Sequence, residues 1–177
     1  VELPDGLQVI GEYWFSECES LTTVNVPSSV KKIQDRAFNQ CSSLASLILP
    51  EGLQSIGNFS FGGCRSLATL HVPSTVCKMG GGVFGDCTGL RSVTLPDALE
   101  TIGDQMFCGC TSLTHIDIPP NVTKIKHAGF KHCESLKYLR IPSSVVEIGA
   151  SAFESCKQLM LVHLLGNLHT IKEKNIL

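Results

Sequence analysis

The chain has 177 residues, of which 43% are hydrophobic and 17% charged, and its formal net charge is -2. That apolar content supports a sizeable core and excludes a disordered chain. The near balance of 14 basic against 16 acidic residues excludes the electrostatic footprint of nucleic-acid binding and a polybasic membrane contact. No apolar run approaches the roughly 18 residues of a membrane-spanning helix, so no membrane insertion is expected in this segment.

The order of residues is periodic from the start. Residues 1–3 read as the tail of a repeat, and prolines then stand at Pro4, Pro27, Pro50, Pro73, Pro96, Pro119 and Pro142, always 23 residues apart. Phenylalanines from Phe15 to Phe153, cysteines from Cys18 to Cys156 and leucines from Leu21 to Leu159 keep the same step. A constant step of this length is the signature of a solenoid. Seven complete units run from residue 4 to 164, with partial ones at 1–3 and 165–177. The expectation is a single repeat domain over 1–177, cut from a longer array.

Within each unit the elements follow in a fixed order. After the proline an apolar pair, such as Val145 and Ile148, predicts a short second strand leading to a turn that is usually glycine. Gln34 and Lys126 share that column with Gly11, Gly57, Gly80, Gly103 and Gly149, so the turn cannot strictly require positive φ. Phe153, Cys156 and Leu159, spaced by three, predict one side of a helical or 3₁₀ turn. The unit closes on an L-x-x-L-x-I pattern, as in Leu136, Leu139 and Ile141, whose alternation predicts a strand with one buried face. The next proline ends that strand because it has no N–H to donate.

The resulting pattern, P-x-x-[LV]-x-x-I-G-x-x-A-F-x-x-C-x-x-L-x-x-[LV]-x-[ILV], resembles the BspA-like class of leucine-rich repeats over essentially the whole chain. Departures are local: Trp14, Ser60, Val83, Met106 and Gly129 replace the alanine before the phenylalanine, and Met79 replaces an isoleucine. The resemblance implies an α/β-type repeat solenoid. This would be a right-handed coil with a parallel concave sheet, short second strands and helical or 3₁₀ turns. It also implies surface display, adhesion or partner recognition, and a cell-surface or secreted location, although buried thiols fit a reducing compartment as well.

Nine cysteines invite disulfides or zinc, but their spacing opposes both. In-register side chains on coils about 4.8 Å apart point the same way, whereas a disulfide needs converging Cβ atoms. Cys108-Gly109-Cys110 lacks zinc-ligand spacing and a second pair. The column is expected to be a stack of free, buried thiols. Gly80-Gly81-Gly82 lacks the G-K-S/T of a phosphate loop, and the basic cluster Lys124, Lys126, His127, Lys131 and His132 reads as a solvated face. No catalytic, cofactor or metal site is expected. The sequons at Asn58 and Asn121 would matter only on a eukaryotic secretory route.

Positions alternating with the buried strand residues face outward. Toward the C-terminus they gather His115, Asp117, Tyr138, Arg140 and His163, and Tyr and Arg are frequent interface anchors. These five are the candidate partner-binding residues, with Asp117 and Arg140 expected to pair across strands. The leading reading is a non-enzymatic module that binds a protein or a glycan. The alternative is a structural spacer displaying another domain. Uncapped ends would also favour self-association.

Overall fold

The computed structural model describes residues 1–165 and the backbone of residues 170–171. Each unit's closing pattern forms the first row of strands: Thr23–Asn25, Ser46–Ile48, Thr69–His71, Ser92–Thr94, Tyr138–Ile141 and Leu161–Leu164. Ladders within it are parallel and advance by one unit, as in Thr23↔Ser46, Thr69↔Ser92 and Tyr138↔Leu161. The period of two buries Val24, Leu47, Leu70, Val93 and Leu139 while their neighbours face solvent.

The second row consists of two-residue strands. Val9–Ile10, Lys32–Ile33, Ser55–Ile56 and Lys78–Met79 form one parallel sheet. Thr101–Ile102, Lys124–Ile125, Glu147–Ile148 and Thr170–Ile171 form another. Residues 115–117 depart from the pattern and join no ladder, although Ile116 and Ile118 stay buried. Pro119 and Pro120 follow directly, two consecutive residues that have no N–H to hold the strand in register.

The parallel rows and short second strands match expectation, but the expected helical or 3₁₀ turns do not form, so the solenoid is of β type and not the expected α/β type. Among the described residues there is no helical segment of any kind. The reason lies in where the amides go. In the second unit, Ala37, Asn39 and Cys41 donate to carbonyls three residues back, but Arg36, Phe38 and Gln40 between them donate to Asn58, Ser60 and Gly62 of the next unit. A 3₁₀ helix needs consecutive local bonds, and here every second amide leaves the segment.

The backbone reverses hand to allow this. Two residues per unit, four apart, take positive φ: Tyr13 and Glu17, Arg36 and Gln40, Phe59 and Gly63, Gly82 and Asp86, Gln105 and Gly109, Ala128 and His132, Ser151 and Ser155. Three forward bonds cross each interface between the seven units, from Tyr13, Phe15 and Glu17 in the first to Ala128, Phe130 and His132 in the sixth. The turn edge is therefore a third inter-coil ladder.

The glycine column behaves as expected, since none of Gly11, Gly57, Gly80, Gly103 or Gly149 has positive φ. What favours glycine there is proximity to the preceding coil. A Cβ on Gly80 would stand 2.6 Å from the Asn58 nitrogen, and one on Gly149 would stand 2.6 Å from the His127 nitrogen.

The interior is a continuous spine. Neighbouring rings from Phe15 to Phe153 stack with centroids 5.1–6.0 Å apart and planes within 15°. Phe38 to Phe153 are fully buried, each ring contributing roughly 1.5–3 kcal/mol. Beside them Cys41, Cys64, Cys87, Cys110, Cys133 and Cys156 are free and buried, and Cys18 in the first unit is exposed. Each buried thiol donates to the carbonyl of the preceding unit's phenylalanine, from Cys41 to Phe15 at 2.9 Å through Cys156 to Phe130 at 3.1 Å. This contact explains why the column prefers cysteine to a purely apolar residue: the thiol is small, apolar in bulk, and still carries a weak donor.

Candidate functional site

The first-row strands position the candidate residues. The registers Tyr138↔Leu161 and Arg140↔His163 set these side chains on the same outward face, and all four are exposed, Tyr138 by 54%. His115 and Asp117 hold the equivalent positions one unit earlier, outside any ladder. Asp117 does not pair with Arg140. Its partner is His115 within its own unit, at 3.1 Å from Nε2 to Oδ1, so the expected cross-strand pair is replaced by a local one. With both groups exposed, that pair contributes little to stability. It leaves Arg140 without an ion-pair partner among the described residues.

The face is not uniform. Asp117 borders a hollow of about 240 Å³ that also touches Asp97 and Pro120. A second hollow of about 340 Å³ lies in the half that reads as mild in sequence, around Ser46, Thr69 and Thr94, with Ile48 beside it 80% exposed.

The three lysines of the basic cluster pair with carboxylates of neighbouring coils. Lys124 meets Glu147 at 3.4 Å, Lys126 meets Asp104 at 3.8 Å, and Lys131 meets Glu154 at 2.8 Å. The hydrogen bond from Lys131 holds the Glu154 carboxyl below the usual range. His127 Nδ1 lies 3.0 Å from the Ala150 carbonyl.

The sequons differ in environment. Ser60 is fully buried, and the Asn58 amide donates to Asp35 at 2.9 Å while its Oδ1 accepts from Gly81. Asn121 is exposed, with its amide donating to the Asp97 carbonyl.

Sequence reasoning missed a groove of about 450 Å³ along the N-terminal turn edge. It is lined by Tyr13, Arg36 and Phe59 from the first positive-φ column and by Glu17, Gln40 and Asp86 from the second. Arg36 lies 5.6 Å from both the Tyr13 and Phe59 ring centroids and donates to Tyr13 Oη at 2.6 Å. The signal was present as aromatic and arginine residues 23 apart, but in a column that otherwise varies freely.

No curated protein sequence matches the chain. Among solved structures, a leucine-rich cell surface protein of Faecalibacterium prausnitzii is similar, with 26% identity over 94% of this chain and a TM-score of 0.67. A leucine-rich repeat protein of Bacteroides ovatus shares 28% identity over 92% of the chain, also at 0.67. The leucine-rich repeat protein of T. pallidum shares 27% over 90% at 0.64 and is 77% covered in return. The chain spans 59% and 56% of the first two. The profile of the BspA type leucine-rich repeat region matches residues 1–97 and 78–176 in six copies. With a 23-residue coil, parallel strand rows and a phenylalanine spine in agreement with that profile, the chain belongs to the BspA-type leucine-rich repeat family.

Proposed function

We propose that this solenoid is a recognition module of a surface-displayed repeat array, and that it holds a protein partner on its first-row strand face near the C-terminal end. The observation that carries the reading is the in-register placement of exposed Tyr138 and Arg140 against Leu161 and His163. A partner would cover an aromatic ring and a guanidinium together, the side chains most often found to anchor protein interfaces. Asp117 and His115, locked to each other, add an oriented polar rim. Surface display is supported by the similar cell surface protein of Faecalibacterium prausnitzii. A scaffold of this kind hosts many partners, so the site, and not the fold, sets specificity.

Quantitative capture of surface and matrix proteins with the parent chain, followed by affinity measurement, tests the reading. Joint replacement of Tyr138 and Arg140 by alanine is expected to weaken binding by about 2 kcal/mol or more. Joint replacement of Thr69 and Thr94 by alanine is expected to leave affinity nearly unchanged. The reverse result would place recognition on the other half of the face. A chain that captures nothing would act as a spacer.

A further inference from the structure

We infer that the groove on the N-terminal turn edge is a binding site for a neutral oligosaccharide lying along the solenoid axis. This site is separate from the strand face and stands or falls independently of it. The groove crosses five coils, from Tyr13 in the first to Cys108 in the fifth, and its volume of about 450 Å³ is within the range of small-ligand sites. Gly62 and Gly85 in its lining carry no side chain, and the Asn39 amide reaches over Gly62 to donate to its carbonyl at 3.2 Å.

The chemistry of the walls selects the ligand class. Tyr13 and Phe59 sandwich the Arg36 guanidinium, which lies over both rings, and Phe59 also lies against Gly82. Such a stack offers a ligand ring edges and guanidinium N–H donors, which suit hydroxyl oxygens. In the second column, the Glu17 and Asp86 carboxylates and the Gln40 amide are acceptors and donors matched to adjacent hydroxyls. Two carboxylates in the lining disfavour an anionic ligand.

Backbone groups argue against a peptide strand as occupant. The amides of Arg36, Gln40, Gly62, Gly63 and Gly85 are already committed to carbonyls within the turn edge, so no free ladder is offered. What remains for a ligand is side-chain polarity and ring edges, which suits a hydroxyl-rich chain. Coils about 4.8 Å apart advance by nearly the length of one pyranose residue in an extended β-linked chain. One sugar per coil would keep each residue in the same relation to the repeating wall.

The C-terminal end of the same edge shows what filling does. There the same column carries Lys131 and Glu154, bound to each other at 2.8 Å, in place of Gly62 and Gly85. Gly85 has no positive φ, and a Cβ there would meet nothing nearer than 3.4 Å, so Gly85→Glu should fill the groove without disturbing the coil.

The test is an array of neutral and acidic glycans probed with the intact chain, followed by isothermal titration with neutral β-linked oligosaccharides of roughly five residues. The expected result is saturable binding of a neutral oligosaccharide that falls about tenfold or more in both Phe59→Ala and Gly85→Glu. Ser155→Gly, on the filled edge, should bind as the parent does. Thermal unfolding of Gly85→Glu close to that of the parent assigns its loss to the groove. The inference is overturned if no neutral glycan binds, if binding is indifferent to both substitutions, or if only acidic glycans or extended peptides are held there.

Discussion

The turn edge is open between the first and fifth coils and filled over the last two, although the core beneath it is the same. Phe61 and Phe84 beneath the open stretch and Phe130 and Phe153 beneath the filled one are equally buried and equally stacked. On the surface above them, Gly62 and Gly85 give way to Lys131 and Glu154 in one column, and Arg36 and Phe59 give way to Ala128 and Ser151 in another. The contrast shows that the interior columns and the edge columns of this solenoid vary independently. Each coil contacts only its neighbours, so a surface feature can be built over a few units at no cost to the rest.

The comparison breaks first if the core is not in fact shared. Phe84→Ala and Phe130→Ala, one under each stretch, should each destabilise the chain by about 3–5 kcal/mol in denaturant titration, and by similar amounts. A clearly smaller loss at Phe84 would show that the open edge rests on a looser interior.

The thiol column gives the next largest effect. Burial, opposed in part by hydrogen bonds from the backbone of Cys64 and Gly63, pushes the Cys87 thiol up to about 12 from 9.0. Burial pushes Cys41 and Cys156 up to about 11. The folded chain therefore binds these protons more tightly than the unfolded chain. Stability should hold below about pH 9 and fall as pH rises through 11 to 12, by up to about 1.4 kcal/mol per pH unit for each thiol involved. Unfolding free energies measured at stepped alkaline pH check the sign. At neutral pH a thiol reagent should modify exposed Cys18 and Cys77 rapidly and leave buried Cys64 and Cys87 in the open stretch and Cys133 in the filled one intact.

The smallest expected effect concerns the backbone. Gln105 at φ 55° and Ser155 at φ 62° are non-glycine residues in the left-handed region, one in each stretch. Replacing either by glycine should relieve a local strain that outweighs the added freedom of the unfolded chain, raising stability by about 0.5 kcal/mol. Equal gains at both sites would show that the edge ladder is the same structure whether open or filled.

The repeat, its two strand rows and its inward columns were legible because the relevant residues recur without exception: proline, phenylalanine, cysteine and leucine occupy fixed places in all seven units. The turn edge was not. Its positive-φ columns hold Tyr13, Arg36, Phe59, Gln105 and Ala128 alongside Gly82, so the glycine signal that marks left-handed backbone is diluted. A spacing of three between Phe, Cys and Leu fits a helical turn as well as it fits this ladder, and only the destination of alternate amides separates them. The candidate residues Tyr138, Arg140 and His163 lie on one face because their alternation is local. The His115–Asp117 pairing depends on side-chain reach and could not be read from alternation.

The forward bonds of the turn edge carry one more consequence. In the first six coils the amides of the two positive-φ residues and of the phenylalanine between them point toward the C-terminal end, and the carbonyls that receive them point back. Their peptide dipoles are parallel to the solenoid axis and sum along it, as they do in an α-helix, with the opposite sense relative to chain direction. This edge is thus electrically polarised, with partial positive charge toward its C-terminal end. A negatively charged group sliding along the edge would be drawn toward Lys131 and away from Tyr13, which gives the solenoid a direction that a charged neighbour can sense.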